Sequence, residues 1–281
     1  MARPQPILFD GGVTKKEIAT FRRTVRMHFK KYGRSFLWRE TRDPYYILVS
    51  EVMLQQTQVD RVIPKYKEFI KKFPTLKKLV EASLGEVLIL WSGLGYNRRA
   101  KLLKKCAENI VLGLGGSFPK TKKELERLPG IGPYTAGAVM AFAYNMPIVM
   151  IETNIRAVYI HYFFRDKKSV LDADIIPLIE QTLDRKEPRL WYNMLMDYGA
   201  WIKKEYGNPN KKSAHHVVQK KFEGSMRQVR GALIRALAQK PQTLRVLGSS
   251  LGFRNDLLRK CLFDLEKEHM VVLHKRTWRL P

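Results

Sequence analysis

Cysteine is scarce in this sequence of 281 residues. Its two cysteines, Cys106 and Cys261, exclude a framework of several disulfides, and alone they cannot supply the four thiolates of a structural zinc site or an iron–sulfur cluster. We therefore expect each to pack as a small apolar residue in a reduced, intracellular compartment. No secretory signal is expected either, because residues 1–10 lack a basic segment followed by an apolar stretch.

Long hydrophobic runs are also missing. The longest, residues 136–151, is shorter than a bilayer crossing requires, and it contains Tyr144, Asn145 and Pro147. The sequence therefore excludes a transmembrane helix.

Acidic residues are few relative to basic ones. The chain has 26 Asp and Glu against 52 Lys and Arg, which gives a formal net charge of +26. Such a charge favours a polyanionic partner, and nucleic acid is the leading candidate because each Lys or Arg contact to a phosphate releases counterions. The alternatives are a solvated basic surface or attraction to a membrane surface. With nucleic acid as partner, we expect the protein in the cytoplasm, at the nucleoid, without membrane association.

Most of the chain shows the apolar spacing of amphipathic helices joined by short polar connections, which predicts an all-α body. A polar stretch, residues 207–213, interrupts this pattern. We predict three regions: a helical domain over residues 1–206, a basic linker over 207–225 and a basic C-terminal domain over 226–281.

The C-terminal region changes in character from helices alone to three helices followed by two short strands. This order is typical of a winged helix-turn-helix, an α+β domain. Arg254 would begin its recognition helix, and Lys275 and Arg276 would form the tip of its wing. The alternative is a small helical cap held to the main body.

The segment Leu128-Pro129-Gly130-Ile131-Gly132 lies between two predicted helices. Two glycines allow a tight turn and leave backbone amides free at the start of the next helix, where they can hold a DNA phosphate. A Gly-x-Gly turn alone is common. Between two helices in a chain this basic, it is a stronger indication of DNA binding.

Two carboxylates have apolar neighbours in the sequence. Glu51 lies within a predicted helix among Val49, Val52 and Met53, and Glu152 follows an apolar run just before another helix. Glu51 either points outward or is partly buried, where desolvation would let it hold a proton at neutral pH. Glu152 could complement the helix dipole or be a partly desolvated functional group.

Together with their neighbours, these residues resemble the helix-hairpin-helix DNA glycosylase superfamily and, within it, the MutY-type adenine glycosylases. The resemblance is collinear over residues 36–202, and its most specific element is Ser-Glu-Val-Met-Leu-Gln-Gln-Thr at residues 50–57. The other matching stretches are Trp38-Arg39, Arg42-Asp43-Pro44-Tyr45, Gly93-Leu94-Gly95-Tyr96, residues 128–135 and Glu152-Thr153-Asn154. It implies a helical glycosylase fold of two lobes, acting as a monomer in base excision repair on double-stranded DNA that carries a damaged or mispaired base.

The resemblance also implies roles for individual residues in cleavage of the N-glycosidic bond of a flipped base. Glu51 would protonate the base, and Glu152 would stabilise the cationic sugar. The further matching positions are Tyr134 and Asn154 near the sugar, Trp38, Arg39 and Asp197 in the base pocket, and Gln56 and Tyr96 inserted into the DNA. Because Tyr134 stands where lyase members carry a lysine, the resemblance implies a monofunctional enzyme without lyase activity.

The chain departs from the family pattern in three places. Glu152 and Thr153 replace the family's Asp and Gly, Trp201 and Lys203 lie where the first cluster cysteine is expected, and the domain that recognises 8-oxoguanine is not evident. We therefore expect no iron–sulfur cluster and no metal. Trp201, Tyr206 and the basic linker would take over the structural and DNA-contacting roles of the cluster.

Adenine opposite 8-oxoguanine or guanine is the favoured target. A thymine or uracil mismatch glycosylase acting opposite guanine is the nearest alternative. A non-catalytic winged-helix DNA-binding protein is an alternative from a different class.

Overall fold

A computed structural model describes residues 13–218 and 221–281. The segment 1–10, for which the sequence predicts no secretory signal, lies outside the described residues. The α-helices are α1 Lys15–Tyr32, α2 Leu37–Glu40, α3 Pro44–Leu54, α4 Val59–Lys72, α5 Leu76–Glu81, α6 Leu84–Trp91, α7 Arg98–Glu108, α8 Lys122–Glu126, α9 Pro133–Tyr144, α10 Thr153–Phe163, α11 Asp172–Thr182, α12 Pro188–Glu205, α13 Met226–Gln239, α14 Leu244–Leu251 and α15 Asn255–Lys267. A π-helical turn, Asn109–Gly113, follows α7, and a 3₁₀ turn, Pro209–Lys212, follows α12. The expected helical fold with small C-terminal strands is confirmed, and no helix among the described residues is both long and apolar enough to span a membrane.

The described chain divides into two compact units, and each draws on several segments. The first contains the described residues up to Ile47, Lys120–Lys123 and Gly132–Val218. The second contains Leu48–Pro119, Glu124–Ile131 and the described residues from 221 to 281. The domain borders expected from the sequence at 206 and 226 stay a prediction.

The core of the first unit forms around aromatic side chains. The Phe21 ring on α1 is fully buried, and its centroid lies 4.9 Å from that of Tyr162, 5.2 Å from Phe163 and 5.9 Å from Trp191. α10 packs along α12 in this unit. Gly199 of α12 permits the contact, since an added Cβ would lie 2.1 Å from the Asn154 carbonyl oxygen on α10.

The second unit contains α4 to α7 and the C-terminal helices α13 to α15. α13 packs against α6 as well as against α15. The strands β1 Val272–His274 and β2 Thr277–Arg279 form an antiparallel hairpin whose turn residues, Lys275 and Arg276, both have positive φ. The order of three helices and a hairpin is the one expected for a winged helix, and that assignment stays a prediction.

The segment expected to be a linker is partly tied to the first unit. Asn210, in the 3₁₀ turn, is buried and donates a hydrogen bond of 2.9 Å to the Thr153 carbonyl. Ser213 pairs with Val170 in an isolated β-bridge. The start of this segment therefore helps to fix the N-terminus of α10.

Candidate functional site

The hairpin between α8 and α9 has two glycines with different surroundings. Gly130 has a φ of +79°, and an added Cβ would lie 2.7 Å from the Leu102 Cβ, so both conformation and space require glycine. Gly132 has a φ of −91° and no atom within 4 Å of an added Cβ. It caps α9, whose first residue, Pro133, has no amide hydrogen to satisfy. The backbone at Gly132 is thus open to an approaching ligand.

Glu51 is buried on α3, with 5% of its surface exposed, and a buried arginine organises the end of the same helix. Arg99 Nη1 donates to the carbonyls of Val52 at 2.7 Å, Met53 at 2.9 Å and Gln55 at 2.7 Å. Burial lowers the pKa of the Arg99 guanidinium to about 10, which leaves it charged at neutral pH. Arg99 therefore caps the C-terminus of α3 as a cation.

The same guanidinium links the two loops that carry Gln56 and Tyr96. Its Nη2 donates to Thr57 Oγ1 at 3.0 Å and to the Gly95 carbonyl at 3.1 Å. Gln56 and Tyr96 both have positive φ, 52° and 47°, a conformation that is strained for residues with a Cβ and is found where function requires it. The structure places both residues around one pocket of the second unit, so these two sequence candidates are brought together.

The candidates Arg39 and Asp197 also meet, within the first unit. Arg39 donates two hydrogen bonds to the Asp197 carboxylate, at 2.8 and 2.9 Å, and Arg34 donates two more, both at 2.8 Å. Burial of the Asp197 carboxyl would raise its pKa, but the ion pairs with Arg39 and Arg34 outweigh burial and hold the pKa below its usual value. Asp197 is therefore a fixed anion at neutral pH, and it orients both guanidinium groups.

Trp38 lies beside this charged group through an aromatic stack. Its ring stacks on that of Phe36 at 4.9 Å with an angle of 12° between the planes. The Arg39 and Arg34 guanidinium groups lie 4.9 and 5.2 Å from the centre of the Phe36 ring. All three predicted base-pocket residues thus belong to one cluster, which Arg34 and Phe36 complete.

Glu152 caps the N-terminus of α10 with its own side chain. Oε1 accepts hydrogen bonds from the backbone amides of Asn154 at 2.7 Å and Ile155 at 2.8 Å, and Oε2 accepts one from Asn154 Nδ2 at 3.1 Å. These hydrogen bonds hold the Glu152 carboxylate at the first turn of α10. Glu152 and Asn154, both predicted near the sugar, therefore form one hydrogen-bonded unit.

A lysine on α12 interacts with Glu152. Burial lowers the pKa of Lys203, and the electrostatic attraction of Glu152 partly offsets this. Lys203 follows Gly199 by one helical turn, so it lies on the face of α12 that contacts the Asn154 backbone. Tyr134 lies half-buried in the first turn of α9.

The region after Gly199 and Ala200 contains aromatic rings in place of thiolates. Trp201 stacks on Tyr198 at 5.7 Å and 12°, lies 5.0 Å from the His28 ring and meets Tyr206 edge-on at 5.5 Å. Cys106 and Cys261 are buried on α7 and α15 in the second unit. This set of donors does not fit a cluster with four cysteine ligands. Among residues 13–218 and 221–281, no three His, Cys, Asp or Glu side chains are grouped as metal ligands.

The C-terminal candidates lie on the surface of the second unit. Arg254 precedes α15 and pairs with Asp256 at 2.7 Å, and Lys275 and Arg276 are exposed in the β1–β2 turn. Arg254 also lines an open pocket of about 490 Å³ together with Arg245 and Arg259. This surface is basic, as the sequence indicates.

Sequence reasoning missed several residues that organise the site. Each of these residues has a basic or polar neighbour in the sequence, and only the folded chain shows which member of the pair turns inward. They are Arg34, Arg99 and Lys203. The positions of Arg34 and Arg99 beside recognised motifs were the only available signal.

Two helices, α8 and α9, are joined by a Pro-Gly-Ile-Gly hairpin within a mostly helical fold. The sequence profile of the "HhH-GPD superfamily base excision DNA repair protein" family matches residues 49–175. Residues 49–175, just under half of the chain, are therefore similar to this superfamily.

The chain is also similar in sequence to two adenine DNA glycosylases. The chain is 42% identical over 187 residues to an adenine DNA glycosylase of Buchnera aphidicola subsp. Baizongia pistaciae (strain Bp), covering 65% of this chain and 52% of the relative. It is 35% identical over 198 residues to the adenine DNA glycosylase of Homo sapiens, covering 66% of this chain and 36% of the relative. The chain thus spans about half or less of the length of these relatives.

A solved structure of a thermostable thymine-DNA glycosylase is similar in fold and sequence. It has a TM-score of 0.62 and 27% identity, and the match covers 72% of this chain and 94% of that chain.

Proposed function

We propose that this protein is a monofunctional DNA N-glycosylase that removes adenine mispaired with guanine or 8-oxoguanine in double-stranded DNA, as part of base excision repair. The observation that carries the proposal is the 42% identity to an adenine DNA glycosylase together with a buried carboxylic acid, Glu51, in the most specific motif. The net charge of +26 supports DNA as the substrate. The protein would act as a monomer at the nucleoid.

The chemistry that we propose divides the work between two carboxyl groups. The Glu51 acid donates its proton to a ring nitrogen of the flipped adenine, so that the glycosidic electron pair leaves on a neutral base. The Glu152 carboxylate, held by two backbone amides, stabilises the positive charge that develops on the sugar. Water then adds to the sugar carbon and loses a proton to solvent.

Tyr134 explains why we propose base release without cleavage of the DNA strand. A phenol cannot form the Schiff base with the sugar that an amine forms, so the abasic strand stays intact until alkali is added. The Arg39–Asp197 cluster with Trp38 would contact the extruded base, and the exposed backbone at Gly132 would hold a phosphate. Arg254, Lys275 and Arg276 would add phosphate contacts from a winged helix.

The first test replaces Glu51 with Gln, which keeps the size of the side chain and removes the acid. We expect single-turnover release of adenine from an adenine–guanine duplex to fall by at least about 10²-fold. DNA affinity, measured by fluorescence anisotropy, should stay within about twofold of that of the unaltered protein, because Gln has the size of a protonated Glu51 side chain and is likewise uncharged. Glu81→Gln on the exposed surface of α5 is the matched control and should change neither quantity.

The same assay separates the alternatives. Release of thymine or uracil opposite guanine would replace the proposed substrate and keep the chemistry. Of the two, thymine has the support of the similarity to a thymine-DNA glycosylase. Unchanged release in Glu51→Gln would contradict the assigned acid, and DNA binding without release from any duplex would favour a non-catalytic binding protein.

We also propose that the enzyme works without an iron–sulfur cluster. Iron in stoichiometric amounts in the purified protein, with the absorbance of a cluster, would contradict this.

A further inference from the structure

The second unit contains a pocket of about 370 Å³ that combines loops of the glycosylase region with the C-terminal segment, defined here as residues 225–281. The glycosylase side contributes Gln55, Gln56 and the loop that carries Tyr96. The C-terminal segment contributes Arg227, Arg230 and Glu268, which lie beyond the residues 49–175 that the family profile matches. Its volume falls in the range of small-ligand sites, roughly 300–1,000 Å³.

Arg227 is fixed against the Tyr96 ring. It donates a hydrogen bond of 2.6 Å to the Tyr96 hydroxyl, and its guanidinium carbon lies 5.5 Å from the ring centre. Arg99 lies 5.6 Å from the same ring centre. Two cations from different segments therefore hold the strained Tyr96 in one orientation at the wall of the pocket.

Arg230 and Glu268 place opposite charges side by side in the wall. Arg230 Nη2 lies 2.8 Å from Glu268 Oε2, with 21% and 34% of the two side chains exposed. Lys101 Nζ donates to the Glu268 carbonyl and secures the end of α15. The pair is accessible from the pocket, so each partner has further hydrogen-bonding capacity for a ligand: several N–H groups on Arg230 and lone pairs on Glu268.

We propose that this pocket receives the base left without a partner in the opposite strand and recognises it as guanine or a guanine derivative. This inference rests on the proposed function, because flipping one base out of a duplex leaves the Watson–Crick edge of its former partner unpaired. The Tyr96 ring offers a surface for stacking. The proposed chemical step uses neither Arg227 nor Arg230.

The donors and acceptors of the pocket fit guanine better than the other bases. An arginine fork matches the O6 and N7 acceptors of guanine, which is the commonest specific contact to a base edge. The Glu268 carboxylate, beside the Arg230 guanidinium, is an acceptor for the N1 and N2 hydrogens on the adjoining Watson–Crick edge. A phosphate would suit the arginines alone, but it would be repelled by Glu268.

The test measures binding and needs no catalysis. A duplex with a tetrahydrofuran abasic analogue opposite guanine is compared, by anisotropy, with duplexes that carry inosine, 7-deazaguanine or cytosine at the opposite position. We expect the unaltered protein to bind the guanine duplex about tenfold more tightly than either the inosine duplex, which lacks the 2-amino group, or the 7-deazaguanine duplex, which lacks N7.

Arg227→Gln and Arg230→Gln should each reduce the ratio of the affinities for guanine and cytosine about tenfold. Arg259→Gln, which removes an arginine from a separate pocket of the same segment, is the matched control and should leave this ratio unchanged. Because the analogue series uses the unaltered protein, the proposal can fail even where a variant does not fold.

Two outcomes would overturn the proposal. Equal affinity of the unaltered protein for all four duplexes would show that the pocket does not recognise a base. An equal loss of affinity for guanine and cytosine in Arg230→Gln would indicate a phosphate contact instead. A failure of the proposed function is distinguished by the separate release assay, in which no duplex would lose a base.

Discussion

Gly130 and Gly132 are equivalent in sequence and differ in structure. Gly130 is required by its backbone conformation and by the Leu102 side chain, whereas Gly132 has an ordinary φ and faces open space. The fold alone therefore does not explain a glycine at position 132. Under the proposed function, close approach of a DNA phosphate to the backbone would explain it.

We predict that Gly132→Ala weakens DNA binding about tenfold, which corresponds to one lost charge-assisted hydrogen bond of about 1.4 kcal/mol. The free energy of unfolding should stay the same or rise by up to about 1 kcal/mol, because alanine restricts the unfolded chain. Chemical denaturation and anisotropy measure the two quantities. Gly130→Ala is the contrasting variant and should lower stability by about 1–3 kcal/mol. Unchanged DNA affinity in Gly132→Ala would contradict a phosphate contact at this position.

Several contacts between individual side chains could not be predicted from the sequence. The spacing of Arg39 and Asp197 in the chain gives no hint of their ion pair, and only the resemblance to a family connected them. Glu152 and Asn154 are two residues apart, so their contact follows from a helix N-terminus. Which of Arg98 and Arg99 would turn inward could not be predicted, because both have the same chemistry and only packing around α3 distinguishes them.

At the scale of elements, local signals predict most helices within a few residues. The apolar spacing predicts a helix over residues 84–91, and α6 has these bounds, with Ser83 and Glu86 forming its capping box. It predicts helices over residues 134–143 and 154–164, and α9 and α10 match these within one residue at each end. It also predicts a helix over residues 45–58, but α3 ends at Leu54, because the spacing does not show that Arg99 caps the helix there.

α1 is the element that sequence reasoning overlooked. Its 18 residues carry many cations, and its buried face consists of only Phe21, Val25 and His28. A signal was present: Thr14 and Glu17 form a capping box immediately before the helix. Phe21 then anchors the core of the first unit, so a narrow apolar stripe has a large structural effect.

The contact of α10 with α12 leads to a prediction for Gly199→Ala. The added methyl group would lie 2.1 Å from the Asn154 carbonyl oxygen, which belongs to backbone, so α10 must move. We expect a loss of about 3 kcal/mol in the free energy of unfolding, measured by denaturant titration. Base release should fall as well, because the displaced turn carries Glu152 and Asn154.

Gly113→Ala is the control for this substitution, since an added Cβ there meets nothing within 4 Å. It should leave base release unchanged, and the free energy of unfolding should stay the same or rise by up to about 1 kcal/mol. Full base release in a correctly folded Gly199→Ala protein would show that the position of Glu152 is not critical.

At the scale of the whole molecule, the compact units differ from the linear domains that composition suggests. Composition changes near residue 207, but the described residues after 220 group with residues 48–119. A pattern along the chain cannot reveal this, because α13 packs on α6 through contacts that are distant in sequence. The overall charge is a property that the sequence does determine, and it supports nucleic acid as the partner whatever the arrangement of the units.

The same charge, together with two half-buried or buried histidines, sets how stability depends on pH. Burial lowers the pKa of His161 to about 4, with a further contribution from Arg165. Burial also lowers the pKa of His28, although Asp197 opposes the shift. Both histidines therefore bind a proton less readily in the folded protein than in the unfolded chain, so they make the free energy of unfolding decrease as the pH falls below about 6.5, the ordinary pKa of histidine.

We predict that lowering the pH from 7 to 5 reduces the free energy of unfolding, with about 1 kcal/mol from His161 after allowance for its partial exposure to solvent. Growing repulsion within a highly positive chain acts in the same direction, so the test compares variants. His161→Gln should lose its share of the pH dependence in denaturant titrations at the two pH values. His274→Gln, at an exposed position on β1, should keep the full dependence. An identical pH dependence in His161→Gln and the unaltered protein would contradict the share assigned to His161 and leave the effect to His28 and to overall charge.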